Sequence, residues 1–373
     1  MMAETLFWFA ALALFYGFVG YPLILKALVA FRTRRERWED ADEPPSVAML
    51  LSVLNEEDVI ADKIRNFREL DYPAEKLELI IVSDGCTDRT EDVVEELRDE
   101  RVRLLVQERN MGKTLALNRA VAESEADIVV FTDADSMFDR DALMHLVAPF
   151  ADSSVGLVSG HTEYRAEGSG GGAYRRYEDA VKVLESDLWG IVGADGAVYA
   201  MRRELYEPIV PEYINDLLHP IQVVMRGYDA LQEQAAVCRE PLEEAGPGGF
   251  HRQTRIMTQS WLIVLSQLPG LVRAGKWGFL WQMLSHKVVR WLTLPLLGIV
   301  LLANLFLVGQ GGFYVPALLA QLGFYACAYA YRHEQGGMKL IPYTFLLLHL
   351  SAAIGLFKHM KGETYVSWKP RNN

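Results

Sequence analysis

The chain has 373 residues, enough for one large domain or two ordinary ones, and its formal net charge is -12. This acidic balance, and the lack of a basic stripe with interleaved aromatic residues outside the membrane flanks, exclude nucleic acid as a partner. The hydrophobic share of 51% is concentrated in four nearly uncharged stretches of close to membrane length. The three cysteines show neither metal-ligand spacing nor a paired framework, which favours a reduced, cytosolic setting for the soluble part.

The first apolar stretch predicts an N-terminal transmembrane helix within residues 1–31. It lacks the basic start and the small-residue cleavage site of a removed signal peptide. A group of arginines follows it directly: Arg32, Arg34, Arg35 and Arg37. The positive-inside rule therefore places the amino terminus outside the cell and the following domain in the cytoplasm. Residues 32–46, which become acidic and proline-containing, are predicted to form a linker.

Residues 47–250 alternate between strand-like and helix-like segments. The strand-like runs are rich in β-branched and aliphatic residues and lie near 47–54, 77–83, 102–107, 127–132, 155–160, 196–201 and 233–238. The helix-like segments lie near 58–70, 89–100, 113–124, 139–150, 173–190 and 215–227. This alternation predicts an α/β domain built on a parallel, doubly wound sheet.

The rest of the chain is predicted to contact the membrane. Residues 251–290 interleave Trp261, Trp277 and Trp281 with cations, the pattern of interfacial amphipathic helices, although a soluble core helix is the alternative. Residues 291–360 contain three apolar stretches of near-spanning length, at 291–309, 313–331 and 341–358. Three crossings would leave the basic tail at 361–373 outside, whereas the positive-inside rule prefers it inside. A re-entrant or interfacial course for one stretch would resolve this conflict.

Polar side chains follow four successive strands of the predicted sheet. In strand order they are Asn55 and Glu56, then Asp84, then Lys113, then the pair Asp133 and Asp135. Because open α/β sheets bind ligands at the carboxyl ends of their strands, we expect these groups to converge. Two carboxylates one residue apart suit a divalent cation and a lysine that opens a helix suits a phosphate. A capped strand-end turn and a solvated lysine are the alternatives. The sequence contains neither a G-x-G-x-x-G fingerprint nor a P-loop.

Five segments carry a resemblance to a known family: LNEE (54–57), DGCTDRT (84–90), NMGKTLALN (110–118), TDAD (132–135) and GADGAVYAMRREL (193–205). In this order, over about 47–256, they resemble the family-two glycosyltransferases with a GT-A fold. The apolar ends are similar to those of the membrane polysaccharide synthases and glycolipid glycosyltransferases of that family. The resemblance implies a Rossmann-like α/β nucleotide-sugar domain and an enzyme that transfers sugar from a nucleotide-diphosphate sugar, with a UDP-sugar as the expected donor.

The resemblance also implies roles on the donor side. Contacts with the nucleotide are implied for Asn55, Glu56 and Asp84, the last two with base and ribose. Lys113 would lie near the diphosphate. Asp133 would face the ribose or the cation, and Asp135 would hold Mg²⁺ or Mn²⁺ against the diphosphate oxygens. Such a cation neutralises the charge that develops on the leaving diphosphate.

The implied general base is Asp216. Inversion at the anomeric carbon needs a base on the far side of the sugar to take the proton of the acceptor hydroxyl. The family has an acidic pair followed by GY at this point, whereas this chain has Asn215 before Asp216, with Gly227 and Tyr228 further on. Asp216 therefore loses a neighbouring like charge that would raise its pKa. A helix N-cap formed by Asn215 or Asp216 is the alternative.

The acceptor side departs from the family pattern. The segment that would contact the acceptor contributes Gly193, Asp195 and Gly196. The membrane polysaccharide synthases of the family carry (Q/R)-x-x-R-W, in which the Trp lines the acceptor site. Here Arg252 and Arg255 are present, but position 256 is Ile. The two arginines share a helix face and are expected to bind the diphosphate, while the missing Trp argues against processive polymerisation.

Three functions remain open from these residues. The first is inverting, metal-dependent transfer of one or a few sugars to a lipid-linked or glycan acceptor, by an integral cell-membrane protein with a cytoplasmic catalytic domain. The second is a processive polysaccharide synthase that extrudes its polymer. The third is an inactive, membrane-anchored nucleotide-sugar-binding scaffold. The small number of membrane segments and Ile256 favour the first over the second.

Overall fold

The computed structural model describes residues 1–32, 43–164, 171–241, 247–333 and 340–366. Three predicted features lie wholly or partly outside the described residues: Arg34, Arg35 and Arg37, most of the linker at 32–46, and the end of the tail at 361–373. The strands are β1 Val47–Val53, β2 Leu77–Asp84, β3 Val102–Gln107, β4 Ile128–Thr132, β5 Met137–Phe138, β6 Val155–Tyr164, β7 Val198–Arg202 and β8 Asp229–Glu240.

The helices follow the predicted segments closely. In the soluble part they are α3 Ile60–Arg68, α4 Thr90–Leu97, α5 Lys113–Ala122, α6 Ala142–Val147, α7 Gly171–Ser186 and α8 Asn215–Met225. At the two ends of the chain they are α1 Met2–Phe15, α2 Tyr21–Ala30, α9 Pro247–Arg273, α10 Trp277–Met283, α11 Val289–Trp291, α12 Thr293–Leu307, α13 Tyr314–Ala330 and α14 Ile341–Met360. A π-helical turn joins α1 to α2, and a second one, Leu284–Val288, precedes α11.

The eight strands form one sheet in the order β3-β2-β1-β4-β7-β6-β8-β5. Strands β3, β2, β1 and β4 are parallel, as expected. The other half of the sheet departs from the predicted parallel arrangement. There β7 runs antiparallel to β4 and β6, β5 runs antiparallel to β8, and β6 and β8 are parallel. The cause is where the chain enters β7: its first residue, Val198, pairs with Thr132 at the carboxyl end of β4, so β7 runs back along β4.

The central strands are buried on both faces. Along β1, Ala48 and Leu50 belong to one hydrophobic core, and Met49 and Leu51 belong to the other, since successive side chains point to opposite faces. Helix α5 contributes to the first core, and helices α3 and α6 contribute to the second. With both faces covered, the ends of the strands are where polar groups reach solvent. The sheet therefore directs the chemistry to its carboxyl edge.

The chain carries candidate membrane-spanning helices at both ends. Three are long and apolar enough by length and composition: Met2–Ala30, Thr293–Gln310 and Ile341–Met360. The remaining apolar stretch, predicted at 313–331, forms α13, which at 17 residues is shorter than these three helices. The tryptophans predicted to lie at the membrane interface differ in exposure. Trp277 is 62% exposed, whereas Trp261 is buried and donates a hydrogen bond to the Ala352 carbonyl at 3.0 Å. Trp261 is therefore a core residue between α9 and α14 rather than part of an interfacial belt.

A buried polar network joins helix α2 near the N-terminus to helix α7 and to the segment that contains His286 and Arg290. The Tyr21 hydroxyl donates to the Glu185 carboxylate at 2.5 Å, and His286 Nδ1 lies 2.8 Å from the same carboxylate. His286 Nε2 lies 2.9 Å from Glu178, which also pairs with Arg290. Glu185 is fully buried and His286 is 2% exposed. Removing one member would leave a buried charge without its partner, which is strongly unfavourable.

We therefore predict that His286→Ala destabilises the fold. Glu185 would keep only the Tyr21 hydroxyl, and breaking a buried pair costs about 3–5 kcal/mol. The matched control is His145→Ala, since His145 pairs with Asp141 at 3.5 Å on the surface, where such a pair contributes at most about 1 kcal/mol. Thermal unfolding in detergent, followed by circular dichroism, should show a much larger fall in Tm for His286→Ala. Equal shifts for both variants would contradict this assignment.

Candidate active site

The loops after β1 and β2 are locked to each other. Asn55 has a positive φ of 58°, a backbone conformation that is uncommon for residues other than glycine. Its Oδ1 accepts a hydrogen bond from the Thr87 backbone N–H at 2.8 Å, and the Glu56 backbone N–H donates to Thr90 Oγ1 at 2.8 Å. These two hydrogen bonds hold the loop after β1 against the loop after β2. Nucleotide contacts of Asn55 and Glu56 stay a prediction.

Asp84 fixes the loop that carries Lys113. The Asp84 carboxylate is fully buried and accepts hydrogen bonds from the backbone N–H groups of Met111 at 2.7 Å and Gly112 at 2.9 Å. Gly85 has a φ of +78°, and a Cβ there would lie 2.6 Å from the Asn110 backbone nitrogen, so only glycine allows this close approach. The structure thus gives Asp84 a loop-holding role that the motif did not predict, and its contact with base and ribose stays a prediction.

The two carboxylates after β4 sit beside the Lys113 ammonium group. Lys113 is the first residue of α5, after Gly112 with a φ of +97°, and its Nζ lies 2.5 Å from Asp133 Oδ1. Asp133 and Asp135 are half-buried, while Ala134 between them is buried in the core. Within the described ranges, no group of three or more His, Cys, Asp or Glu side chains forms a ready-made metal cage. Two half-exposed carboxylates fit a divalent cation that also takes oxygens from a diphosphate.

Asp216 lies in the first turn of α8, against the acceptor segment. A Cβ on Gly196 would be 3.0 Å from Asp216 Oδ2, and the Asp216 carbonyl accepts a hydrogen bond from the Ala194 N–H at 2.9 Å. Asp216 Oδ1 is buried and has no hydrogen-bond partner among the described residues. The N-cap of α8 is Ile214, without a side-chain cap bond, and Asn215 donates to the Tyr199 hydroxyl at 2.5 Å. Neither Asn215 nor Asp216 is therefore the N-cap residue, although the Leu217 backbone N–H donates to the Asp216 carboxylate within the first turn.

Burial raises the pKa of Asp216. The positive charges of Lys113 and Lys182 act in the opposite direction, and the negative charge of Asp195 raises the pKa further. Asp195 itself is held by its backbone N–H, which donates to Ser159 Oγ at 2.9 Å. Asp216 is thus a carboxylate of raised basicity with one unpaired oxygen, which is what a proton acceptor requires.

The donor side and the acceptor side converge on Lys113. It pairs with Asp133, and its charge also lowers the pKa of Asp216. Glu240, at the end of β8, lies in the same field: burial raises its pKa, a hydrogen bond from Ser136 lowers it, and the charges of Asp133 and Asp195 raise it. Asp195 therefore acts on both Asp216 and Glu240, and Asp133 acts on Glu240.

Two residues of this neighbourhood escaped the sequence reasoning. Glu240 ends β8 and belongs to no motif, so nothing in the sequence pointed to it. Lys63 lies in α3 on the same helical face as Ile60, Ile64 and Phe67, and all four side chains are essentially fully buried. A lysine at an apolar helical position is a signal that the periodicity contained.

The two arginines lie on α9, the long helix that follows the sheet domain. Arg252 is exposed and Arg255 is half-buried, and burial together with the charge of Arg252 lowers the pKa of Arg255. On the same helix Gln259 donates to the carbonyls of Glu212 at 3.1 Å and Tyr365 at 3.2 Å. This helix is therefore tied to the loop that precedes Asp216. Diphosphate binding by Arg252 and Arg255 stays a prediction.

Residues 49–209 match the profile of Glycosyl transferase family 2. The chain contains a family 2 glycosyl transferase domain. The curated relatives include poly-β-1,6-N-acetyl-D-glucosamine synthase of Staphylococcus aureus (strain MSSA476), which is 27% identical over 261 residues, 65% of this chain and 63% of the synthase. Another is the probable glycosyltransferase YdaM of Bacillus subtilis (strain 168), 32% identical over 171 residues, 43% of this chain and 40% of that protein. The matches span less than two thirds of these relatives' lengths.

A solved structure with a similar fold covers nearly the whole chain. It is the mannosyltransferase PcManGT from Pyrobaculum calidifontis in complex with GDP-Man and Mn²⁺, with a TM-score of 0.73, 23% identity, and coverage of 97% of this chain and 99% of that one. At this identity the likeness shows the fold. The predictions of the glycosyltransferase family and of its enzyme class are confirmed for the domain at residues 49–209, and the predicted GT-A fold is confirmed.

The contact between Gly196 and Asp216 yields a first test. Gly196→Ala would place a methyl group 3.0 Å from Asp216 Oδ2, so the carboxylate would have to shift by a few tenths of an ångström. Because misplacement by about 1 Å costs on the order of 10²-fold in rate, we expect a smaller but clear loss. Gly193→Ala is the matched variant, since its Cβ would meet Leu217 at 3.6 Å and Lys287 at 3.9 Å, both ordinary contacts. Initial rates of nucleotide release should fall far more for Gly196→Ala, with nucleotide affinity retained in both variants. Equal losses of rate in the two variants would contradict the proposed role of Asp216 in the reaction.

The charges around Asp216 yield a second test. A base must be ionised to act, so the rate falls as pH falls through its pKa, and the acid limb of kcat/KM should lie above the ordinary Asp value of about 3.9. Asp195→Asn removes a charge that raises the pKa of Asp216 and keeps the oxygen that accepts the Ala197 N–H at 3.2 Å. The limb should therefore move to lower pH in the variant, measured at saturating metal. A limb that stays in place would contradict the role of Asp195.

Proposed function

We propose that the protein catalyses inverting, metal-dependent transfer of a sugar from a nucleotide-diphosphate sugar to a lipid-linked or glycan acceptor at the cytoplasmic face of the membrane. The observation that carries this proposal is the position of Lys113. It contacts Asp133 of the TDAD motif at 2.5 Å and its charge acts on Asp216. A phosphate-binding cation thus stands between the two acidic groups that the reaction needs.

In this proposal the chain's own residues divide the work between donor and acceptor. Asp216 accepts the proton of the acceptor hydroxyl while the oxygen of that hydroxyl forms the new bond to the anomeric carbon. The nucleoside diphosphate leaves with the bonding electron pair. Lys113, Arg252 and Arg255 bind the diphosphate. Asp133 and Asp135 would hold Mg²⁺ or Mn²⁺, which when bound neutralises charge on the leaving diphosphate. Gly193, Asp195 and Gly196 would line the acceptor side.

The membrane placement belongs to the same proposal. Residues 1–31 would anchor the chain, 47–250 would form the catalytic domain, 251–290 would lie along the bilayer surface, and 291–360 would re-enter the membrane, which makes the protein an integral cell-membrane protein. Arg32, which follows the first helix, donates to the Asp187 carbonyl at 3.1 Å and also to the Leu188 carbonyl. A cation at this point supports the assignment of the catalytic side to the cytoplasm.

A processive polysaccharide synthase is the second candidate. It is favoured by the match with the synthase of S. aureus over 65% of this chain. Ile256 in place of the family's Trp counts against it, because an aliphatic side chain offers no aromatic plane for a sugar ring. The lengths of the products distinguish the two candidates: a ladder of long chains supports a synthase, and one or a few added sugars support single transfer.

The test uses purified protein in nanodiscs with a panel of UDP- and GDP-sugars, Mn²⁺ or Mg²⁺, and membrane lipid extract. Sugar transfer and nucleotide release should require both metal and acceptor lipid or glycan. Asp216→Asn should lower kcat on the order of 10²–10⁴-fold with the nucleotide still bound. Undiminished turnover by Asp216→Asn would refute the base assignment. Nucleotide binding without turnover in the wild-type protein would instead indicate a silent scaffold.

A further inference from the structure

Lys63 lies beneath the TDAD turn with its ammonium group fully buried. Its Nζ donates a hydrogen bond to Thr132 Oγ1 at 2.8 Å and a second one to the Ser136 carbonyl. Thr132 directly precedes Asp133, and Ser136 directly follows Asp135. One buried cation therefore holds both ends of the five-residue segment that carries the two carboxylates.

Further contacts hold Ser136 and the nearby Phe138. The Asn66 amide, one helical turn after Lys63 on α3, bonds both the N–H and the carbonyl of Phe138, each at 2.8 Å. The Lys63 Nζ also lies 4.8 Å from the centre of the Phe138 ring, within the range of a cation–π interaction. On the far side of the turn, Ser136 Oγ pairs with Glu240. Helix α3 is thus clamped to the turn, with Lys63 at the centre.

The presence of a lysine here needs a reason beyond stability. Burial disfavours a charged ammonium group and lowers the pKa of Lys63 to about 8, while the charges of Asp133 and Glu240 oppose this shift. The neighbours Ile60, Ile64 and Phe67 on the same helix face are apolar and equally buried. A hydrophobic residue would avoid the desolvation cost but would leave Thr132 Oγ1 and the Ser136 carbonyl without this donor.

We propose that Lys63 is the positioning residue of the metal-binding turn, which it holds at both ends so that Asp133 and Asp135 present their carboxylates to a divalent cation in a fixed geometry. This inference rests on the proposed function, since it takes the two aspartates as metal ligands. A group fixed before binding loses little conformational freedom on binding, so the ion is held more tightly. Lys63 would touch neither the metal nor the substrate.

The test measures Mn²⁺ binding directly. Free Mn²⁺ is followed by electron paramagnetic resonance while it is titrated into full-length protein in nanodiscs, with GDP or UDP present. Lys63→Met removes the donor, and Lys63→Gln keeps an N–H donor without the charge. The matched control is Lys76→Met, because Lys76 donates to the Pro44 carbonyl at 2.8 Å but lies before β2, at the amino edge of the sheet.

We expect Lys63→Met to weaken Mn²⁺ binding by about 10- to 100-fold, the usual effect of losing a group that orients metal ligands. Lys76→Met should match the wild-type protein, and Lys63→Gln should fall between the two. Nucleotide affinity without metal should be retained, and excess Mn²⁺ should restore transfer by Lys63→Met, which a general loss of fold would not allow. Thermal unfolding verifies that each variant is folded, and if Lys63→Met is not, Lys63→Gln carries the comparison.

The possible failures are distinguishable. If the wild-type protein binds no Mn²⁺ in the presence of either nucleotide, the metal-dependent function itself is wrong. If the wild-type protein binds Mn²⁺ and both folded Lys63 variants bind it equally well, the proposed function survives and the role of Lys63 is refuted.

Discussion

The candidate site depends on the electrostatic interactions of the Lys113 ammonium group. This group contacts Asp133 at 2.5 Å and lowers the pKa of Asp216, so it links the residues proposed for the donor side to the proposed base. Its position follows from a chain of local constraints. The buried Asp84 carboxylate binds the backbone at Met111 and Gly112, and Gly85 lets that loop approach closely. A charged group half-exposed at a helix start can be held this firmly only if the preceding backbone is fixed.

Helix α7 connects this site to the membrane-associated parts of the chain. Its carboxylates Glu178 and Glu185 bind His286, and Glu185 also binds Tyr21. From the same helix Asp179 lies 3.4 Å from His161 of β6, and Lys182 acts on Asp216. Buried ion pairs of this kind contribute little net stability but are costly to break, so they favour one packing arrangement over others. The catalytic domain and the candidate membrane helices are thereby held in a fixed relation.

Much of the fold followed from local sequence signals, and the exceptions have physical causes. Runs such as Ile128–Thr132 predicted their strands because a strand buried on both faces is apolar throughout. The direction of β7 could not be predicted, since it depends on where the preceding segment delivers the chain. Within the site, motif order located Lys113 and Asp133, whereas the loop-holding role of Asp84 and the approach of Glu240 depend on tertiary contacts. For Lys63, the position on an apolar helix face was evident from the sequence, whereas the hydrogen bond to Thr132 was not.

The surroundings of Asp216 bear on the kind of acceptor that the site suits. A phosphate oxygen is already largely ionised near neutral pH and needs no base, since its second pKa is about 6. A sugar hydroxyl must lose its proton as the new bond forms. Burial raises the pKa of Asp216 and the charge of Lys113 lowers it, while Oδ1 has no hydrogen-bond partner among the described residues. Under the proposed function, this arrangement suits a hydroxyl acceptor, whether that hydroxyl belongs to a glycan or to the sugar of a lipid.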